Sequence, residues 1–333
     1  MNGRPSVPAF ETSRAEFALI ARHFADLGPR RADVRLGVGD DCALLEVPVG
    51  HSLAVSIDTL TAGVHFFPDC AAEAVGHKAL AVGLSDLAAM GAEPAWATLA
   101  LTLPRQDDVW ISGFAHGFGA LARTHGVQLV GGDTTRGPLA ISVQVHGLVP
   151  HDAAIRRAGA RPDDRIWVSG TLGDAALALE RLRAGVSPEP ALRDRLERPT
   201  PRVALGLALR GLASAMIDLS DGLAGDLGHL LAASGVGAEL DLAALPLAPP
   251  LVALIASNEG AWSLPLAGGD DYELCFCAPA ARTEQIAALA ARAGCQVSCI
   301  GRILQTPGLR LRRPDGRALG IERMGYDHFA REA

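Results

Sequence analysis

Six segments of this chain repeat one arrangement, an aspartate among Gly, Ser or Thr set directly beside an apolar run. They are GVGDDCALL (37–45), SIDTLTAG (56–63), GLSDLAAMG (83–91), GGDTTRG (131–137), IDLSDG (217–222) and GGDDYEL (268–274). Such runs read as strands and helices handed over to tight turns, which requires a mixed architecture of strands, loops and helices. In domains of that kind, ligand sites gather at strand ends and helix starts.

Taken singly, each aspartate reads as a turn former or a cap, and Asp174 and Asp221 stand where helix N-caps are expected. Taken together, Asp41, Asp58, Asp86, Asp133, Asp218 and Asp221 read as a constellation at strand ends or helix starts. Two carboxylates about 4 Å apart repel by roughly 4 kcal/mol at an effective dielectric of 20, so a cation must join them or their pKa values must rise. Few basic residues stand near these motifs in sequence. A hard divalent cation is the economical partner, because Mg2+ takes carboxylate oxygens, waters and substrate phosphates. The neighbouring glycines let main-chain N–H groups approach a phosphate closely. Helix starts after Gly173 and Asp221 add a favourable dipole for an anion.

The order of elements supports two blocks. A helix is expected over 13–27, a strand over 52–57 that delivers Asp58 at its end, and a helix over 71–90 closed by Gly91. A strand over 95–103, a helix over 107–125, a strand over 127–132 delivering Asp133 and an alternating strand over 139–149 follow. After an Arg-rich turn, the second block holds strands at 165–170, 215–222, 272–278 and 296–303. Helices are expected near 173–184, 221–234 and 282–293, and a proline-punctuated linker carries a short helix. The boundary falls near 150–160, giving domains 1–152 and 153–333.

Composition narrows the function. With 333 residues, 49% hydrophobic and 20% charged, the chain has globular composition and length for two domains. A net charge of −7 argues against a nucleic-acid or polyanion surface. The six cysteines lack C-x-x-C spacing and read as reduced thiols of a cytoplasmic protein, without structural zinc. The N-terminus has no apolar signal region, and the apolar stretches are too short to span a membrane. Lys78 is the single lysine, and no Gly-Lys dipeptide exists, so there is no Walker A loop; V-A-I-K and H-R-D kinase motifs are also absent.

The motifs GDDCALL, SIDTLTAGVHF, GHKALAVGLSDLAAMGA, GGDTTRG, VSGTLGDAALAL, IDLSDGL, GGDDYEL and GYDHF, in this order over residues 15 to 329, resemble the thiamine-monophosphate kinase family. That family belongs to the ATP-binding superfamily of aminoimidazole ribonucleotide synthetase. The resemblance implies an α+β (mixed α/β) fold of two synthetase-like domains. It implies phosphorylation of thiamine monophosphate to thiamine diphosphate with ATP as co-substrate, several Mg2+ ions, and a homodimer paired through the N-terminal domains. Domain 1–152 would bind ATP and Mg2+ and dimerise, and 153–333 would complete the nucleotide and substrate site. By motif, Asp41, Asp58, Asp86, Asp133 and Asp218 would ligate Mg2+, Ser56 or the backbone of Ile57 would add a ligand, and Asp221 would hold another metal. Gly132, Asp133, Arg157 and Ser220 would contact ATP. His65, Asp270 and Tyr326 would contact thiamine monophosphate. The chain departs from the family pattern at Asp270, where Glu is usual, at Gly83, where Asn is frequent, and over 114–117, which lacks a tyrosine for adenine.

The chemistry implied needs no protein nucleophile or base. A phosphate acceptor has a second pKa of about 6 and is already ionised at neutral pH. The protein then has to align and neutralise two anions. Other readings stand beside these roles. His65 is also readable as packed beside Phe66 and Phe67, and Arg157 as one of a solvated pair with Arg156. Lys78 can reach a phosphate from its helix but is expected at the surface, and Tyr326 is also readable as a C-terminal staple. The alternatives at the level of function are another ATP-dependent synthetase of the superfamily and a non-catalytic nucleotide binder. A selenophosphate synthetase would need a reactive Cys or selenocysteine and a Lys near the N-terminus, which the first 41 residues lack.

Overall fold

Two large β-sheets order the described residues, one built within residues 51–150 and the other within residues 165–312, beside one smaller two-stranded sheet. The computed structural model describes residues 15–320 and 324–326. In the first half, helices α1 (Ala15–His23), α2 (Ala72–Ala89) and α3 (Asp108–Thr124) accompany a two-stranded ribbon, β1 (Val34–Leu36) with β2 (Leu44–Leu45). The larger sheet there has the order β3-β6-β4-β5, from β3 (His51–Thr61), β4 (Glu93–Leu103), β5 (Gln128–Arg136) and β6 (Ala140–Pro150).

The second half holds six strands in the order β12-β9-β11-β7-β10-β8. They are β7 (Arg165–Ser169), β8 (Ala215–Asp218), β9 (Gly237–Asp241), β10 (Leu274–Ala278), β11 (Val297–Leu304) and β12 (Gly308–Arg312). Its helices are α4 (Asp174–Arg183), α5 (Pro190–Glu197), α6 (Val203–Ala208), α7 (Leu223–Ser234), α8 (Pro249–Ser257), α9 (Ser263–Ala267) and α10 (Thr283–Arg292).

Two of the expected strand ends lie elsewhere. Strand β3 pairs with β6 along its whole length, from His51 opposite Pro150 to Thr61 opposite Ala140, so Asp58 lies inside the strand. Leu60, 4% exposed, anchors the continuation in the core. Asp133 likewise lies inside β5, opposite Ala100 of β4, because Thr134 and Thr135 extend the pairing. Asp86 lies late in α2 and not at a helix start.

Alternation along β3 sorts its side chains by face. Asp58 faces α2, where a β-carbon added at Gly83 would lie 3.5 Å from Asp58 Oδ2. Leu53, Val55 and Ile57 on the other face are 43%, 53% and 62% exposed, on a strand at the sheet edge.

Helix α2 is the hinge of the architecture, buried on nearly every side. It packs on β3, β6 and α3 of the first half and on α5, α6, β8 and β10 of the second. Glycines permit the approach. A β-carbon at Gly76 would stand 2.0 Å from the Phe114 carbonyl oxygen, and one at Gly117 would stand 1.9 Å from that of Glu73. The backbones of α2 and α3 therefore touch at their crossing, fixing the depth at which α2 presents its polar residues.

The expected caps differ as well. The N-cap of α4 is Gly173, and the Asp174 carboxylate accepts from the Thr171 hydroxyl. At α7, Asp226 accepts from the N–H groups of Asp221 (3.0 Å) and Gly222 (3.1 Å), so the capping acid is inside the first turn and Asp221 is not the cap. No helix among the described residues is long and apolar enough to cross a membrane.

Candidate active site

Asp58 of β3, Asp86 of α2 and Asp218 at the end of β8 converge between the two halves. The Ser56 hydroxyl donates to Asp86 Oδ2, and Asp58 Oδ2 is buried with no hydrogen-bond partner. Burial pushes Asp58 up to about 6, and the neighbouring Asp86 charge adds to it. Burial also raises Asp86, against the Ser56 hydroxyl and the Arg157 charge, which oppose the rise. Asp218 is raised by burial and then by Asp86, with Asp226 and Asp58 contributing. Asp226 is pushed up to about 7, again chiefly by burial. The site is thus a set of carboxylates that the folded chain leaves short of positive charge.

Asp41 and Asp133 stand apart from that set. They share a recess with Gly132, Val38 and Cys42. Within it, Asp40 Oδ1 accepts the Asp41 N–H at 2.8 Å, so the first acid of the pair ties the turn. Gly132 is required by contact, since a β-carbon there would lie 1.9 Å from the Leu99 carbonyl oxygen. Ile57 turns its side chain outward, 62% exposed, which leaves only its main chain for a site role.

Among the described residues, no group of three or more His, Cys, Asp or Glu side chains is arranged to hold a metal ion by itself. The donors present still fit a hard cation that completes its shell with water and phosphate: every donor is an oxygen, and one buried carboxylate oxygen has no partner.

A second recess opens beside the carboxylates, lined by His65, Phe66, Phe67, Lys78, Glu197 and Asp270 among others. His65 Nδ1 accepts the Thr61 N–H at 3.0 Å. Lys78 is 3% exposed and not at the surface as expected, because α2 runs through the middle of the molecule. Its ammonium lies 3.1 Å from Asp270 Oδ1 and donates to the His65 carbonyl at 3.2 Å.

The loop carrying Asp270 is held from several sides. Its N–H donates to the Ser220 carbonyl at 2.8 Å, and the Tyr272 N–H donates to that of Leu219 at 2.8 Å. Asp270 (φ 62) and Tyr272 (φ 48) are both left-handed, a conformation that side chains other than Gly adopt at a cost of about 1–3 kcal/mol each. Beneath the loop, fully buried Glu273 is gripped by Arg202 (2.7 and 2.5 Å) and Arg195 (2.8 Å). Tyr326 joins the same region, its N–H donating to the Asp221 carbonyl at 3.0 Å. The rest of GYDHF, Asp327 to Phe329, lies outside the described residues.

Sequence reasoning weighed Lys78 as a phosphate contact but expected it at the surface, and it did not single out Tyr272, Asp226 or the Arg195–Arg202–Glu273 clamp that lie around these recesses. The clamp had a faint signal: GGDDYEL places Glu273 two residues past Asp271, and both are buried.

Family models for AIR synthase related proteins match the chain, the N-terminal domain over residues 39–149 and the C-terminal domain over 161–313. Thiamine-monophosphate kinase of Salmonella typhimurium is 48% identical over 322 residues, covering 95% of this chain and 98% of that protein. The crystal structure of thiamine-monophosphate kinase from Stenotrophomonas maltophilia superposes with a TM-score of 0.81 at 48% identity, covering 87% of this chain and 93% of that one. AaThiL complexed with AMPPCP and TMP superposes at 0.74 with 33% identity, covering 88% and 92%.

The raised carboxylates set a pH signature. Their folded pKa values lie above the unfolded value near 4, so the folded state binds more protons than the unfolded one. Their contribution to stability is fully present below pH 4 and is lost as pH rises through about 6 for Asp58 and about 7 for Asp226. In chelator, the melting temperature should therefore fall between pH 4.5 and 8, and Mg2+ should raise it more at pH 8 than at pH 5. Asp58→Asn should stabilise the chelated protein at pH 8, by on the order of 3 kcal/mol. Thermal unfolding checks all three, and destabilisation by Asp58→Asn would contradict this electrostatic picture.

Proposed function

The chain belongs to the thiamine-monophosphate kinase family, and from that premise we propose that it phosphorylates thiamine monophosphate to thiamine diphosphate by direct in-line transfer of the γ-phosphoryl group of ATP. The observation that carries the mechanism is the set of buried carboxylates Asp58, Asp86 and Asp218, raised in pKa and lying beside a recess that presents an ammonium.

The acceptor phosphate supplies its own nucleophile, since it is ionised at neutral pH. A bond forms from one of its oxygens to the γ-phosphorus as the bond to the β-phosphate oxygen breaks, and ADP leaves. The protein's task is alignment and charge balance. Asp41, Asp58, Asp86, Asp133, Asp218 and Asp221, with Ser56 or the main chain of Ile57, would hold the Mg2+ ions. When bound, those cations neutralise phosphate charge and orient the transferring group. Gly132, whose missing side chain lets backbone approach a phosphate, binds ATP with Asp133, Arg157 and Ser220. His65, Asp270 and Tyr326 bind the acceptor.

In this reading, residues 1–152 carry most of the metal and nucleotide groups, and 153–333 close the site with Asp218, Ser220 and Asp270. The exposed Leu53, Val55 and Ile57 on edge strand β3 support pairing of two copies through the first half. Six free cysteines suit the reducing cytoplasm.

Purified protein should release ADP with thiamine monophosphate and Mg2+, and not with free thiamine or in chelator. Saturable ATP binding without ADP release would overturn the kinase reading. Asp58→Asn should lower kcat by roughly 10²–10³-fold. For the pairing, Val55→Arg should convert a dimer to a monomer in sedimentation; an unchanged mass would remove β3 from the interface.

A further inference from the structure

We propose that Lys78 is the residue that reads the acceptor's phosphate, and that Asp270 is its resting counter-ion. The inference rests on the kinase reading and deepens it.

An ammonium is costly to bury unless it is paired. Lys78, the only lysine in the chain, is buried to 3% exposure on the central helix. Its partners among the described residues are Asp270 Oδ1 at 3.1 Å and the His65 carbonyl at 3.2 Å. An ammonium carries three donors, so two contacts leave one to point into the recess. The pair also joins the halves of the molecule, with Lys78 on α2 and Asp270 on the loop before β10. The left-handed backbone at Asp270 and its N–H bond to Ser220 aim that carboxylate at the ammonium.

The substrate has two charges of opposite sign, a phosphate and a thiazolium cation. A bare carboxylate attracts the cation and repels the phosphate, and an ammonium does the reverse. Asp270 therefore suits the cationic ring and Lys78 the phosphate. The walls of Leu60, Phe66, Phe67 and Leu196 offer the rings an apolar surface. The location is also right for transfer. Leu60, which lines the recess, lies two residues past Asp58 on the same face of β3, and Tyr272 beside Asp270 feels the charges of Asp270, Asp58 and Asp218. A phosphate at Lys78 thus lies next to the carboxylates proposed to hold the metal. This arrangement gives the enzyme a reason to prefer the monophosphate over free thiamine: both offer Asp270 a cation, but free thiamine brings no anion to replace Asp270 at the Lys78 ammonium.

Because there is one lysine, lysine-selective isotope labelling of the wild-type chain yields a single side-chain signal. Thiamine monophosphate should shift that signal, and free thiamine should leave it near its resting position. Equal responses to the two ligands would overturn the proposal. In calorimetry, Lys78→Met should weaken thiamine monophosphate about 10- to 100-fold while leaving free thiamine and the KM for ATP within about threefold. Equal weakening of both ligands would mean that Lys78 only holds the loop, and would also overturn it. Asp270→Asn should keep the preference for the monophosphate. Wild-type turnover with thiamine monophosphate is scored separately: its absence would fault the kinase reading, whereas turnover with an unresponsive lysine would fault this inference alone.

Discussion

The repulsion among Asp58, Asp86 and Asp218 is the interaction on which the rest of the structure depends. Each acid comes from a different element, and two of the three elements belong to the first half. A fold that buries them together disfavours their charged forms: burial first, and then the Asp86 charge, pushes Asp58 up to about 6, and Asp58 Oδ2 has no hydrogen-bond partner. Stability and function therefore pull in opposite directions at this point. The core compensates: α2 is packed by close glycine contacts against α3, and a β-carbon at Gly206 of α6 would stand 2.1 Å from the Ala88 carbonyl oxygen.

Helix α2 turns that packing into function. It carries Asp86 into the carboxylate set and Lys78, about two turns earlier, into the neighbouring recess. The loop 268–273 approaches from the second half. It is held in a strained conformation by the Glu273–Arg195–Arg202 clamp and by main-chain bonds to Leu219 and Ser220. The negative and positive parts of the site are consequently set by rigid elements of both halves, as positioning chemistry requires.

Much of this was legible in sequence. The motif IDLSDG marked Asp218 correctly as a strand end, and the helix over 71–90 matches α2 within one residue at each end. The placement of Asp58 and Asp133 at strand ends failed because Thr-rich continuations remain paired. Strands β9 and β12 were not expected; both are five residues long, and β12 depends on β9 as its partner. Lys78 was misread because a lone lysine on a helix is usually solvated, and only the tertiary position of α2 reveals its burial. Asp226 was hidden by its place inside a helix, since a cap is expected before the first turn.

Burial raises the pKa values of the site carboxylates, and the folded chain leaves them short of positive charge. Calorimetric titration of Mg2+ at pH 6 in buffers of different ionisation enthalpy measures this directly. Protons should be released as the metal binds, and the release should shrink by pH 8.5, where the acids have already ionised. Metal binding with no proton release at pH 6 would contradict this.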